Sequence, residues 1–383
     1  GVLPQNWFGD LIVNGLVAGL GGIVVFIPQI MILFGLITIL EDTGYMARIS
    51  FLTDKLMRKV GLNGKSVMPM ISSFACAVPA IMSTRNIENK KERLLTIMIA
   101  PLMSCSARLP VYIILISLVI PNTYYLGFIS LHGLVMTGLY LLGVVMALVV
   151  SYVMKWFIRI KEKSFFILEL PVYRAPRWKN VLVIMVEKAK IFVFEAGRVI
   201  LVISLILWAL STYGPPKRMQ AVETRYEQLA LQQPDNTSEL QDEKRTALLE
   251  NSYVGILGKA IEPAIKPLGY DWKIGIALIT SFAAREVFVG TMATIYSVGG
   301  NADENDLTLR EKMYAATWTN GAKIYTLAAG VSLMVFYVFA MQCMSTLAIV
   351  KRETRSWKWP LIQLVYMTGL AYVLSLLAYT LLK

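Results

Sequence analysis

Long apolar runs separated by short basic stretches dominate the chain. A helix needs about 20 apolar residues to cross the roughly 30 Å of a bilayer's hydrocarbon core. Runs of that kind predict spans over 17–41, 107–121, 126–156, 190–213, 323–350 and 359–382. The 107–121 run is short by itself and extends back through Ile97–Met103. Two further apolar stretches are interrupted, 66–84 by Pro69 and Pro79 and 273–297 by Arg285 and Glu286. Each lies beside another short apolar segment, so both read as re-entrant hairpins or broken helices rather than plain spans. Within 45–65, Tyr45, Met46, Ile49, Leu52, Leu56 and Val60 recur at three- to four-residue spacing, the pattern of an amphipathic helix lying on a membrane surface. The expectation is an all-α, polytopic transmembrane protein.

Composition agrees with that pattern. Of 383 residues, 56% are hydrophobic and 16% charged, against roughly 45–50% and about 25% in soluble domains. This excludes a soluble enzyme and a disordered regulator. The net charge of +12 gathers in clusters between spans instead of along one face, so no nucleic-acid partner is expected. Three cysteines without a C-x-x-C pair exclude a disulfide scaffold and a zinc ribbon.

The clusters also give an orientation, because loops rich in Lys and Arg stay on the cytoplasmic side. The 155–179 connection carries Lys155, Arg159, Lys161, Lys163, Arg174, Arg177 and Lys179 against Glu162 and Glu169. The 351–358 connection carries Lys351, Arg352, Arg355 and Lys358 against Glu353. Both are expected inside, as are 85–93 and 45–65. The 214–250 segment, with five basic and seven acidic residues, is expected outside together with acidic 301–312. On this map Gly1 lies outside, so the sequence implies a further span upstream. Four regions follow: 1–65, a first span and interfacial helix; 66–213, a first repeat with its following spans; 214–250, an extracytoplasmic polar helical insertion; and 251–383, a second repeat with the C-terminal span.

The repeat is read from two strings. Ile71-Ser72-Ser73-Phe74-Ala75-Cys76-Ala77 is similar to Ile279-Thr280-Ser281-Phe282-Ala283-Ala284-Arg285, and each is followed by a Met-x-Cys, Met103-Ser104-Cys105 and Met341-Gln342-Cys343. The charge map sets the two units in opposite senses, the layout of inverted-repeat transporters with a site at the repeat interface.

All three cysteines fall at irregular points of membrane-depth sequence, near Pro79, Pro110 or a Met pair. Sulfur beside freed backbone carbonyls suits a borderline divalent cation such as Fe²⁺. Any one of the three reads equally well as a small buried hydrophobe. Met341 and Met344 flank Cys343 as thioether candidates, and Ser106 follows Cys105. Glu41, Asp42, Arg108, Arg285 and Glu286 are ionisable groups at membrane depth and so functional candidates; for Arg285 and Glu286, structural pairing or capping of a half-helix and a role in the ion path weigh about equally. The single histidine, His132, excludes a histidine-rich metal path. Gly61-Leu62-Asn63-Gly64-Lys65-Ser66 ends like a phosphate-binding loop, but Lys59 stands where its first glycine belongs and no strand precedes it, so no nucleotide-hydrolysing site is expected in this chain.

At these residues the chain resembles the membrane region of FeoB, the prokaryotic ferrous iron transport protein B. The resemblance rests on Gly21–Ile30, Leu40-Glu41-Asp42-Thr43-Gly44-Tyr45-Met46-Ala47-Arg48, Gly61–Ser66, Val78-Pro79-Ala80-Ile81-Met82-Ser83-Thr84-Arg85, Cys105-Ser106-Ala107-Arg108-Leu109-Pro110, Ala284-Arg285-Glu286-Val287 and Lys351-Arg352-Glu353-Thr354. It covers nearly everything except 214–250. It implies two Gate segments similar to those of nucleoside transporters, and an Fe²⁺ path through Cys76, Cys105 and Cys343 with Met341, Met344, Ser106 and Glu286 as further ligand candidates. Fe²⁺ is then the transported substrate, with no bound cofactor in this chain. Also implied are a cytoplasmic GTP-binding domain upstream, small Feo accessory proteins, a homo-oligomer in membrane lipid, and the bacterial inner membrane. Two departures stand out: Ser73-Phe74-Ala75-Cys76-Ala77 replaces the usual Gly-Phe-Gly-Cys-Asn, and Gln342 replaces the proline common before the second Gate's cysteine. A nucleoside or small-solute permease is the alternative, and a receptor or scaffold that moves no solute the third reading.

Overall fold

The computed structural model describes residues 18–121, 123–125, 129–158, 173–232, 237–282, 285, 287–296, 307–318, 321–340 and 343–383. The first span forms α1 (Ala18–Asp42), and Gly44, in the left-handed conformation at φ 80°, turns the chain into α2 (Tyr45–Lys59) at 83° to it. The amphipathic helix expected over 45–65 is therefore present, ending at Lys59. The long apolar runs give α7 (Leu131–Ile158), α8 (Trp178–Thr212) and α17 (Lys358–Leu382). The α8 helix starts 12 residues before the apolar run predicted from 190, because Lys179, Glu187, Lys188 and Lys190 are compatible with helix while hiding its continuation from a hydropathy reading. The polar 214–250 insertion folds as α9 (Pro216–Gln232) and α10 (Thr237–Asn251).

Both interrupted stretches form pairs of short helices: α3 (Val67–Ser73) with α4 (Ala77–Ser83), and α12 (Trp272–Thr280) with α13 (Val287–Ile295). The two spans that follow are themselves broken. The first runs from Lys90 to Val119 as α5 (Lys90–Ile99), 3₁₀ turns at Ala100–Leu102 and Ser106–Arg108, and α6 (Leu109–Val119). The other runs from Leu327 to Thr354 as α15 (Leu327–Phe339) and α16 (Met344–Thr354). Between them lie α11 (Tyr253–Ile265) and α14 (Leu307–Ala315), the second within a stretch read from sequence as loop up to 312. A two-residue antiparallel pair, Tyr124–Tyr125 with Ile129–Ser130, links α6 to α7.

On α7 and α17 burial runs opposite to that of a soluble bundle, although the centre of the fold is apolar. In α17 the inward positions are Gln363, Met367, Ala371 and Ser375, while Leu361, Val365, Val373 and Leu377 point outward. In α7 the inward set is Leu139, Gly143, Ala147 and Ser151. Small and polar residues inside with large aliphatics outside is the arrangement of helices in lipid, where close backbone approach and interhelical hydrogen bonds replace the hydrophobic effect. Ser332 of α15 and Ser375 of α17 each donate to the other's carbonyl at 3.0 Å. This is a polytopic helical membrane protein, with α1 packed along α8 and α15 along α17.

The phosphate-loop-like string has a structural role. Gly61 takes φ 87°, and Gly64 donates its N–H to Asp54 Oδ1 of α2 at 2.9 Å. A Cβ on Gly64 would stand 2.4 Å from the Ser50 carbonyl oxygen. The glycines thus dock α2 against the start of the first hairpin. Gly64→Ala is expected to destabilise the fold by about 1–3 kcal/mol. Gly138→Ala, which adds a Cβ to open space on the exposed face of α7, should instead stabilise it slightly. Unfolding midpoints in detergent check both.

Candidate functional site

The break in the first span begins with a missing donor. Pro101 has no N–H, so the Ile97 carbonyl one turn earlier loses its helical partner. The side chain of Gln363, on α17 and fully buried, donates to that carbonyl at 3.2 Å and to the Met98 carbonyl at 3.0 Å. Tyr366 adds a hydroxyl donor to Met98 at 2.5 Å. Beyond the break the fully buried Arg108 turns back, giving Nη2 to the Pro101 carbonyl at 3.2 Å and Nη1 to Ser104 Oγ at 3.1 Å. In the second broken span Arg285 does the equivalent work from the hairpin. It is 5% exposed and donates to the carbonyls of Tyr337 (3.5 Å) and Ala340 (3.3 Å). Arg108 and Arg285 thus bond to the backbone at the two breaks, the bland outcome weighed for Arg285.

Each break is stitched to its hairpin by the same backbone bond. Ser106 donates its N–H to the Phe74 carbonyl at 2.8 Å, and Met344 donates to the Phe282 carbonyl at 3.3 Å. Phe74 and Phe282 hold the same place in the two similar strings, and Ser106 and Met344 each follow a cysteine. A second bond, Ser106 Oγ to the Ala75 carbonyl at 3.0 Å, tightens the first junction.

The three cysteines share one backbone situation. Cys76 is the N-cap of α4 (φ −154°, ψ 131°), Cys105 heads the Ser106–Arg108 turn that runs into α6 (φ −88°, ψ 161°), and Cys343 is the N-cap of α16 (φ −140°, ψ 104°). All are half-buried. The junction at Ser106 brings Cys105 beside the Phe74–Cys76 turn, and α4 packs against α16, so Cys76 and Cys343 head two touching helices. Cys343 Sγ lies 2.8 Å from Ser345 Oγ. Met344 is 36% exposed and sits at the second junction. Met341 and Glu286 lie outside the described residues. Among the described residues no three His, Cys, Asp or Glu side chains form a group able to enclose a metal ion. At the first hairpin tip Phe74 stacks on Tyr140 at 6.2 Å between centroids, so its ring is engaged in packing. His132 presents Nε2 to the Ile120 carbonyl at 3.0 Å, a satisfied helix-end contact.

Three residues outside the candidate site set prove structural: Gln363, Glu353 and Arg93. Glu353 is 3% exposed at its side chain and takes a 2.5 Å ion pair from both Arg85 and Arg93, tying the first repeat to the end of α16. A glutamine inside the otherwise apolar 359–382 run was the available signal for the first of these.

Paired short helices beside broken spans are features of membrane proteins built with discontinuous helices; here a buried guanidinium bonds to each break. The family model described as Gate, nucleoside recognition, matches residues 23–119 and 193–357, and that of the ferrous iron transport protein B C terminus matches 136–188. The chain belongs to the Gate-containing FeoB family. It is 45% identical over 98% of its length to the Fe(2+) transporter FeoB of Leptospira interrogans and 42% identical over 99% to that of Leptospira biflexa. A Fe(2+) transport protein A/Fe(2+) transporter FeoB fusion protein of Porphyromonas gingivalis is 38% identical over 98% of the chain. The chain spans 51%, 52% and 45% of these relatives respectively. No solved structure matches it.

If Gln363 serves the bare carbonyls at the first break, Gln363→Met should lower the unfolding midpoint in detergent by about 1–2 kcal/mol equivalent. Gln363→Glu should be no better, because its carboxyl is either a buried charge without a donor or, protonated, has one O–H in place of two N–H donors.

Proposed function

We propose that this chain is the permeation domain for ferrous iron, with the ion passing the thiols of Cys76, Cys105 and Cys343. The observation that carries this reading is that each cysteine heads a helix at a backbone break, where regular hydrogen bonding stops and the chain can offer sulfur, hydroxyl and carbonyl ligands together. Ferrous iron accepts that mixed donor set, and binding displaces the thiol proton because a coordinated thiol is ionised by the metal. Ligands spread over three helix starts give several partial sites instead of one closed cage. Passage requires such sites, strong enough to admit the ion and weak enough to release it. The buried charges of Arg108 and Arg285 oppose a cation and work in the same direction. Ser106, Met341, Met344 and Glu286 complete the proposed ligand set.

The names of the FeoB relatives support iron as the substrate, and the matching bonds at Phe74 and Phe282 support two related units, which the charge map sets in inverted orientation. The proposal extends to the four regions given above, the basic loops facing the cytoplasm, and the bacterial inner membrane. In the full-length protein a GTP-binding domain gates the path, so this region itself is a permease and not an enzyme. The Porphyromonas fusion supports a small Feo accessory protein as partner, and assembly in lipid is proposed to be homo-oligomeric.

A nucleoside permease is the second reading, favoured by the description of the Gate family. Vesicles reconstituted with the full-length protein decide between them. Radioactive ferrous iron should accumulate and uridine should not. Cys76→Ser and Cys105→Ser should bring iron uptake down towards that of empty vesicles, whereas wild-type rates in both variants would remove the thiols from the path.

A further inference from the structure

At one membrane face, where the Lys90–Val119 and Leu327–Thr354 spans end and α17 begins, the chain forms an open cavity of about 840 Å³. Its lining carries five cationic side chains, Arg85, Lys90, Arg93, Arg352 and Arg355, and one carboxylate, Glu353. That carboxylate is buried and shared between Arg85 and Arg93, so it holds both guanidiniums at the cavity wall. It offsets one positive charge of the five.

Three observations point to an anion. First, Arg93 gives Nη2 to Glu353, but its Nε is buried with no acceptor among the described residues. Second, the first turn of α5, capped by the Asn89 side chain, holds Lys90, Lys91 and Arg93 against the single carboxylate of Glu92, a cationic excess at a helix end whose dipole favours anions. Third, Arg355 is the one described non-glycine residue with positive φ, 51°, at the C-terminal cap of α16. Glycine or asparagine ordinarily fills that place. The turn brings Arg352 and Arg355 to the same wall. Leu94, Ile97 and Trp359 supply an apolar rim beside this charge, and tryptophan is favoured at membrane–water interfaces.

We infer that this cavity binds a phosphate-type anion, and that its place at the span ends, with an apolar rim, selects the headgroup of an anionic phospholipid. Arginine suits phosphate oxygens through charge-assisted hydrogen bonds; Glu353 takes the Nε–Nη2 edge of Arg85 and the Nη2 of Arg93 and so fixes both guanidinium planes at the wall. Because Arg85 and Arg93 belong to the first repeat and Arg352 and Arg355 to the second, a bound headgroup bridges the two units on this face. The inference does not depend on which solute crosses the membrane.

The test uses the full chain in vesicles of phosphatidylcholine alone, of equimolar phosphatidylcholine and phosphatidylglycerol, and of phosphatidylcholine with added inorganic phosphate. Phosphatidylglycerol should raise the unfolding midpoint, because a ligand that binds the folded state stabilises it. The double variant Lys90→Gln/Arg355→Gln, which leaves the Glu353 pairs intact, should lose at least half of that rise, and Lys90→Arg/Arg355→Lys should keep it. A rise of the same size and sensitivity with inorganic phosphate would support the anion site with a soluble source in place of lipid. Equal rises in wild type and the glutamine variant would overturn the site. Should the glutamine variant not fold, native mass spectrometry replaces it: phosphatidylglycerol retained equally by wild type and Arg355→Gln would overturn the proposal, and loss from the variant would support it.

Discussion

Backbone groups at membrane depth have no water to bond, so an unpaired carbonyl there costs several kcal/mol unless the protein supplies a donor. This fold interrupts two spans and must therefore import donors to both interruptions. Pro101 creates the first demand, and Gln363, Tyr366 and Arg108 meet it from three different positions in the chain. Arg285 meets the second from the facing hairpin. Because the donors come from elsewhere, each break fixes its neighbours: α17 is held to α5 through Gln363, and the second hairpin to α15 through Arg285. The breaks are thus the points at which the bundle is tied together.

The same breaks decide where chemistry can occur. A regular helix exposes no polar backbone to a solute, whereas the starts of α4, α6 and α16 expose a cysteine each, with hydroxyls from Ser106 and Ser345 close by. The buried guanidiniums also restrain the geometry. Moving a half-helix relative to its hairpin would strip the 2.8 Å bond from Ser106 to Phe74 or its counterpart from Met344 to Phe282. Away from the breaks, Glu353 ties Arg85 and Arg93 to the end of α16 through a shared ion pair at the basic face.

The apolar runs made the spans readable from sequence, and the prolines and charges inside 66–84 and 273–297 made the hairpins readable. The ends were less so. Hydropathy understated α8 because Lys and Glu near an interface keep their heads in water while the helix continues. The two similar strings set Phe74 and Phe282 in matching places but could not show that each accepts the same backbone bond. The pairings of Gln363 and Glu353 were not legible because their partners lie more than 250 positions away, and no local pattern reports such a contact. The cysteines were conspicuous by context; their shared position at helix starts is a property of backbone geometry, which side-chain identity does not encode.

Iron X-ray absorption on the full-length protein loaded anaerobically with Fe²⁺ probes the central claim most directly, because it reads the atoms around the metal without requiring transport. Sulfur ligands in the first coordination shell, reduced in number when Cys76 and Cys105 are changed to serine, are the predicted result. A shell of oxygen and nitrogen alone, unchanged by those substitutions, would contradict the account.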